Sequence, residues 1–255
     1  MQLVVVHNWQ QEDAVVAKII ADALGTVVFE ARQKISSGGP AVVATFATAQ
    51  QAKELAGRLC QGDVPALVID TEAVRRESRL FLVRRFVLEP QMLRLESFAG
   101  ESCNIDYETI DLLLVAICNS GPTQITGTGT KRKFSLGKTL LAGGVPMTRE
   151  VKTGNAFSVE ERDETLWLYA RQGVTAVLDR TAMVYDGLGD AMQFTRDLNF
   201  SFLKNELRRL APLACYDERL LKRAALVRLL GPSLNPETDH DLAFEILARC
   251  LRRTA

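Results

Sequence analysis

The sequence predicts an α+β protein, and three observations carry that prediction. Residues 78–118 alternate apolar and polar side chains in short runs broken by turn residues, the pattern of half-buried antiparallel strands. Residues 1–70 repeat a rhythm of strand, helix and glycine. Residues 199–253 place apolar side chains at helical spacing. Together they describe a small α/β sandwich, residues 1–71, followed by an antiparallel β-meander with C-terminal helices, residues 78–255.

Taken in order, residues 3–7 form a run of buried strand type and read as a first strand rather than a leader peptide, because no basic flank precedes them. Val15, Val16, Ile19, Ile20 and Ala23 then mark a helix that Gly25 ends. Residues 26–35 open with β-branched side chains, but Phe29, Arg32 and Ile35 suit a short helix. Gly38-Gly39-Pro40 breaks the chain before a strand at 41–46. Ala52, Leu55, Ala56 and Leu59 line a helix at 48–60, Gly62 stops it, and 65–70 is a third strand. The charged residues 72–77 read as a linker. The meander follows: strands at 79–88, 92–96, 103–105 and 110–117, then, after a long insert, a hairpin of 164–170 and 174–178 across Gln172-Gly173. Phe200, Leu203, Leu207 and Leu210 stripe a helix at 199–210. Amphipathic helices are expected at 217–230 and 239–253, separated by Gly231-Pro232.

Composition bounds the function. With 255 residues, 47% of them hydrophobic and 24% charged, the chain has a globular balance. Lys+Arg and Asp+Glu both number 31, so no net field draws the chain to nucleic acid or an acidic membrane. The apolar runs are strand-sized, far short of the ~18 residues a membrane helix needs. Cys60, Cys103, Cys118, Cys215 and Cys250 are odd in number and scattered singly, which suits small core side chains in a reduced, cytoplasmic setting.

Two resemblances follow from particular residues. The segments Leu24-Gly25, Glu30-Ala31-Arg32, the helix from Ala52 to Leu59 and the strand from Ala66 to Asp70 resemble the C-terminal domain of the ribosomal stalk protein. That family's lysine-rich factor-binding face has no counterpart here, so the resemblance implies a fold and no stalk function. Residues 78–180 resemble a bacterial pleckstrin-homology-like domain, with Ile105-Asp106-Tyr107-Glu108-Thr109-Ile110 leading into the fourth strand. That resemblance implies a pleckstrin-like β-meander with a helix capping its open end.

No motif carries decisive chemistry. Ser135-Leu136-Gly137-Lys138-Thr139 is similar to the end of a phosphate-binding P-loop, but Arg132 stands where the first glycine belongs. Lys131, Arg132, Lys133 and Lys138 form the one dense basic cluster behind a glycine-threonine segment, a candidate grip for a phosphate-bearing ligand or otherwise a solvated loop. Asp239 and Asp241 flank His240 and read as helix-start residues rather than metal ligands, since His7 is remote in sequence. Asp179-Arg180 and Asp217-Glu218-Arg219 read as ion pairs. Trp9 and Trp167 read as core aromatics.

These absences favour a non-catalytic cytoplasmic binding or regulatory protein that engages a protein partner. No catalytic residue, metal or cofactor is assigned, nucleic acid is disfavoured, and a homo-oligomer is compatible. The alternatives are a binder of a phosphorylated ligand through residues 131–138, and an enzyme whose site the sequence does not reveal.

Overall fold

A computed structural model describes residues 1–9, 13–36, 38–77, 80–119 and 162–252. The first part carries β1 (Gln2–Val6), α1 (Ala14–Leu24), α2 (Val28–Ile35), β2 (Ala41–Phe46), α3 (Ala49–Gln61), β3 (Ala66–Asp70) and α4 (Thr71–Glu77). Its three strands form an antiparallel sheet in the order β2-β1-β3. Successive side chains of a strand point to opposite faces, and both faces of β1 are covered. Val4 and Val6 pack with Ile20, Leu55 and Leu59 beneath helices α1 to α3. Leu3 and Val5 face the rest of the molecule. That double burial explains the unbroken apolar run of the first strand. Helix α1 begins where the Asp13 carboxylate accepts the amides of Val15 at 2.7 Å and Val16 at 3.3 Å, as an N-cap does.

The second part carries β4 (Leu80–Leu88), β5 (Met92–Ser97), β6 (Ser102–Asp106), β7 (Ile110–Asn119), β8 (Arg162–Ala170), β9 (Thr175–Asp179), α5 (Arg196–Leu210), β10 (Cys215–Leu220), α6 (Arg223–Leu230) and α7 (His240–Leu251). Its seven strands run in the order β10-β7-β8-β9-β4-β5-β6. The β10–β7 and β4–β9 pairs are parallel and the others antiparallel. The result is an α+β protein with a small antiparallel sheet, a larger mixed sheet and C-terminal helices.

Strand β7 shows why the sheet sits between two cores. Leu113 and Val115 point to a core closed by Phe200, Leu203 and Leu207 of α5. Leu112, Leu114 and Ala116 point the other way, into a core shared with Leu3, Val5, Val42 and Ile69 of the small sheet and with α6 and α7. The two sheets therefore meet across one continuous apolar layer. On the α5 side the backbone after β9 crosses β4 so closely that a Cβ on Gly187 would lie 1.8 Å from the Phe86 carbonyl oxygen, which only glycine avoids.

Two sequence expectations are corrected. The charged stretch 72–77, expected as a linker, is helical within α4. Val74 is buried in the shared core, Arg76 pairs with Glu72 one turn away at 2.8 Å, and Arg75 reaches Asp239 at 2.6 Å. The buried Val74 and the Arg75–Asp239 pair together dock the helix. The helix expected over 217–230 is instead strand β10 followed by α6. Its apolar spacing suits a helix, but the open edge of β7 pairs with Cys215, Tyr216, Asp217 and Leu220 and overrides local preference.

Candidate functional site

Where the two sheets meet, the shared core does not close completely. A cleft of about 490 Å³ opens there, lined by Trp9, Gly38, Gly39 and Pro40 on one side, and by Tyr216, Asp217, Glu218, Arg219, Ala225 and Leu229 on the other. The first wall comes from the segments after β1 and before β2. The second comes from β10 and α6.

The first wall is held by its own backbone. The Trp9 indole Nε1 donates to the Ile35 carbonyl at 2.9 Å, and the Gly39 amide donates to the Trp9 carbonyl at 3.0 Å. The ring lies directly on Gly39. A Cβ there would be 2.8 Å from two ring carbons, so this position accepts no side chain while Trp9 keeps its place. Glycine at 38 takes φ +76°, a conformation other residues rarely adopt.

The second wall is charged, and its charges answer one another. Arg219 grips the Asp217 carboxylate, with Nε at 2.8 Å and Nη2 at 2.7 Å from the same Oδ2 and Nε also 3.0 Å from Oδ1, a set of charge-assisted contacts. The other guanidinium arm donates to the Gly39 carbonyl and so ties the two walls together. The Tyr216 hydroxyl donates to Glu218 at 2.5 Å, and the Arg208 guanidinium sits 4.8 Å from the Tyr216 ring centre. Burial first, then the bond to Glu218 and its charge, push the Tyr216 hydroxyl well above the usual phenol range. Burial likewise raises the Cys215 thiol, which removes it as a thiolate nucleophile near neutral pH.

The basic cluster Lys131, Arg132, Lys133 and Lys138 lies outside the described residues. Asp217 and Arg219 do form the expected ion pair, although Asp217 is largely buried. Arg180 pairs with Asp163 at 3.4 Å and Asp197 at 2.5 Å rather than with its neighbour Asp179, whose carboxylate caps the following turn at Thr181 and Ala182. Asp239 stands at the start of α7 as expected, but its carboxylate accepts from the Asn235 amide and Arg75 instead of from α7. Burial holds His240 below its usual range. Among the described residues no three His, Cys, Asp or Glu side chains converge as metal ligands. Trp167 and Trp9 are both half-buried against a core, Trp167 stacked on Phe244 and Trp9 also lining the cleft.

Sequence reasoning therefore missed the cleft. The sequence reads Trp9 only as core, Gly38-Gly39 only as a chain break, and Asp217 to Arg219 as the start of a helix, whereas all of them line the cleft. The available signal was a Trp and a Gly-Gly-Pro flanking the same helical pair, and a β-forming Tyr beside Asp-Glu-Arg. A second exposed feature is an apolar patch at the start of α5, with Met192 and Leu198 more than half exposed and Phe194 fully so.

Comparison with known families, with characterised proteins and with solved structures finds no match to this chain.

Proposed function

We propose that this chain is a non-catalytic binding protein, working in the cytoplasm, that engages a protein partner through the cleft between its two sheets. One observation carries the reading: an open cleft of about 490 Å³ between the sheets in which Asp217 pairs with Arg219 and Glu218 with Tyr216. Catalysis needs an acid or base free to exchange a proton with its substrate. Here Asp217 is gripped by Arg219 and Glu218 accepts from Tyr216. What the cleft offers instead is an aromatic face, a glycine-lined wall and a strand edge, which are features of protein recognition. No described helix is long and apolar enough to cross a membrane, which agrees with action away from a bilayer core.

The test is site-specific crosslinking. A photo-reactive residue replaces Glu218 in one version of the full chain and Gln51, exposed on the remote helix α3, in another. Each is expressed in cells of the source organism and irradiated. Discrete protein adducts from position 218 and none from position 51 are expected. Equal labelling at the two positions, or none at 218, overturns the reading.

A further inference from the structure

We propose that the cleft is a strand-addition site, where an extended, non-acidic segment of the partner pairs with the outer edge of β10. This rests on the reading above that the cleft engages a protein.

The first support is topological. Strand β10 ends the seven-stranded sheet, pairs with β7 on one side, and has no described strand on the other. An unpaired edge presents a row of N–H and C=O groups that can accept another chain.

The second support is geometric. Successive side chains of a strand point to opposite faces, so a cavity over one face of a strand touches alternate residues. This cleft is lined by Tyr216 and Asp217, adjacent residues in the regular part of β10, and by Glu218 and Arg219, where the register with β7 breaks. A cavity that meets adjacent residues of a regular strand runs along its edge. The regular stretch Cys215–Asp217 offers about 10 Å of that edge, and beyond it the Glu218 and Arg219 carbonyls accept the Leu221 and Lys222 amides.

The opposite wall suits a close-lying main chain. Gly38 and Gly39 project no side chains into the opening, and Gly39 is fixed as glycine by the ring of Trp9. Trp9 on one side and Ala225 and Leu229 on the other give an incoming apolar side chain something to cover.

Charge sets the class of segment. Asp217 and Arg219 neutralise each other, and Glu218 and Arg208 bracket Tyr216 from opposite signs. Among the lining side chains Glu218 is left with one uncompensated negative charge, which disfavours an acidic segment, so selection falls to shape and alternate apolar side chains on a neutral or basic one. The Asp217 carboxylate also accepts the Arg219 amide at 2.9 Å, which occupies one edge donor. Inward-held charge of this kind restrains indiscriminate edge-to-edge pairing.

The experiment selects ten-residue peptides from a random displayed library on the immobilised full chain. Each selected peptide is then remade with N-methyl groups at its odd or its even residues. N-methylation removes a donor and leaves the side chain in place. Strand addition predicts that one set loses at least tenfold in affinity while the other changes less than twofold. It also predicts that the peptide protects amides of residues 215–220 from hydrogen exchange. Protection at 215–220 with no difference between the two sets overturns edge pairing and leaves the partner reading standing. No selected peptide, or protection confined to residues 192–198, overturns both. A dimer of the chain itself that protects 215–220 without peptide replaces the proposed partner with a second copy, and so also overturns the proposal.

Discussion

Two aromatic contacts, one in the seven-stranded sheet and one beside its edge strand β10, differ in what the ring meets. At one, the Trp167 and Phe244 rings stack 4.1 Å apart with planes 23° from parallel, and the Trp167 Nε1 donates to the Thr165 hydroxyl at 3.2 Å. At the other, Trp9 packs on the bare backbone of Gly39, and a cleft opens beside it. Ring against ring adds a stacked contact at the rim of the layer between the sheets. Ring against glycine uses one face of the indole to set a loop, with a cleft beside it. The two tryptophans are equally half-buried, and what each packs against decides whether a cleft adjoins it.

The comparison breaks most readily at its stacked end. Phe244→Ala removes a buried ring from the shared core and should lower stability by about 3–5 kcal/mol in chemical denaturation. In a double-mutant cycle with Trp167→Ala, the pair should show a coupling of about 0.5–1.5 kcal/mol. A loss below about 1 kcal/mol for Phe244→Ala would mean that the stacked pair does not stabilise the layer. Because the core is continuous across both sheets, the chain should also unfold in one transition. Two separated transitions would mean that residues 1–71 stand alone.

At the open end, Gly39→Ala forces a methyl into the Trp9 ring and should cost about 1–3 kcal/mol, with a change in Trp9 emission. An unchanged melting curve would show that the ring yields freely and that the wall is not preformed. Arg219→Ala strips a largely buried Asp217 of its guanidinium and releases the tie to Gly39. A loss of about 1–2 kcal/mol is expected, tempered by the partial exposure of the arginine. If Arg219→Ala is neutral in a urea titration, the two walls are not held together by this side chain.

The smallest effect concerns pH. Burial lowers the His240 pKa below 6.5, against the pull of Asp241, Asp239 and Glu237. The unfolded chain then takes up a proton that the folded chain resists, so stability is whole above about pH 6.5 and declines as pH falls through it. Between pH 7 and 5.5 the wild type should lose more stability than His240→Gln does. Parallel losses would show that His240 contributes nothing to the slope.

Much of the fold was legible because local and tertiary preferences agree. The run Leu112 to Ala116 is apolar at every position because β7 is buried on both faces, and Phe200, Leu203 and Leu207 stripe α5 at the spacing its core requires. The site was illegible because the two disagree there. Asp217 to Arg219 opens a helical spacing that continues to Leu230, and only the vacant edge of β7 makes it a strand. No periodicity in a single segment records a vacancy created by another. Trp9 does pack against a core, but sequence cannot say that its ring will also meet a glycine and border a cleft. The linker misreading has the same origin, since Val74 is one apolar residue whose socket is built by residues far along the chain.

The central claim is that the opening beside Trp9, and not the exposed patch at Phe194, is where a partner segment binds. The most direct measurement is the affinity of the library-selected peptides for three versions of the full chain: wild type, Trp9→Ala and Phe194→Ala, each checked for folding by its melting curve. The account predicts at least a tenfold loss for Trp9→Ala and no change for Phe194→Ala. Unchanged binding by Trp9→Ala with a loss for Phe194→Ala would contradict it.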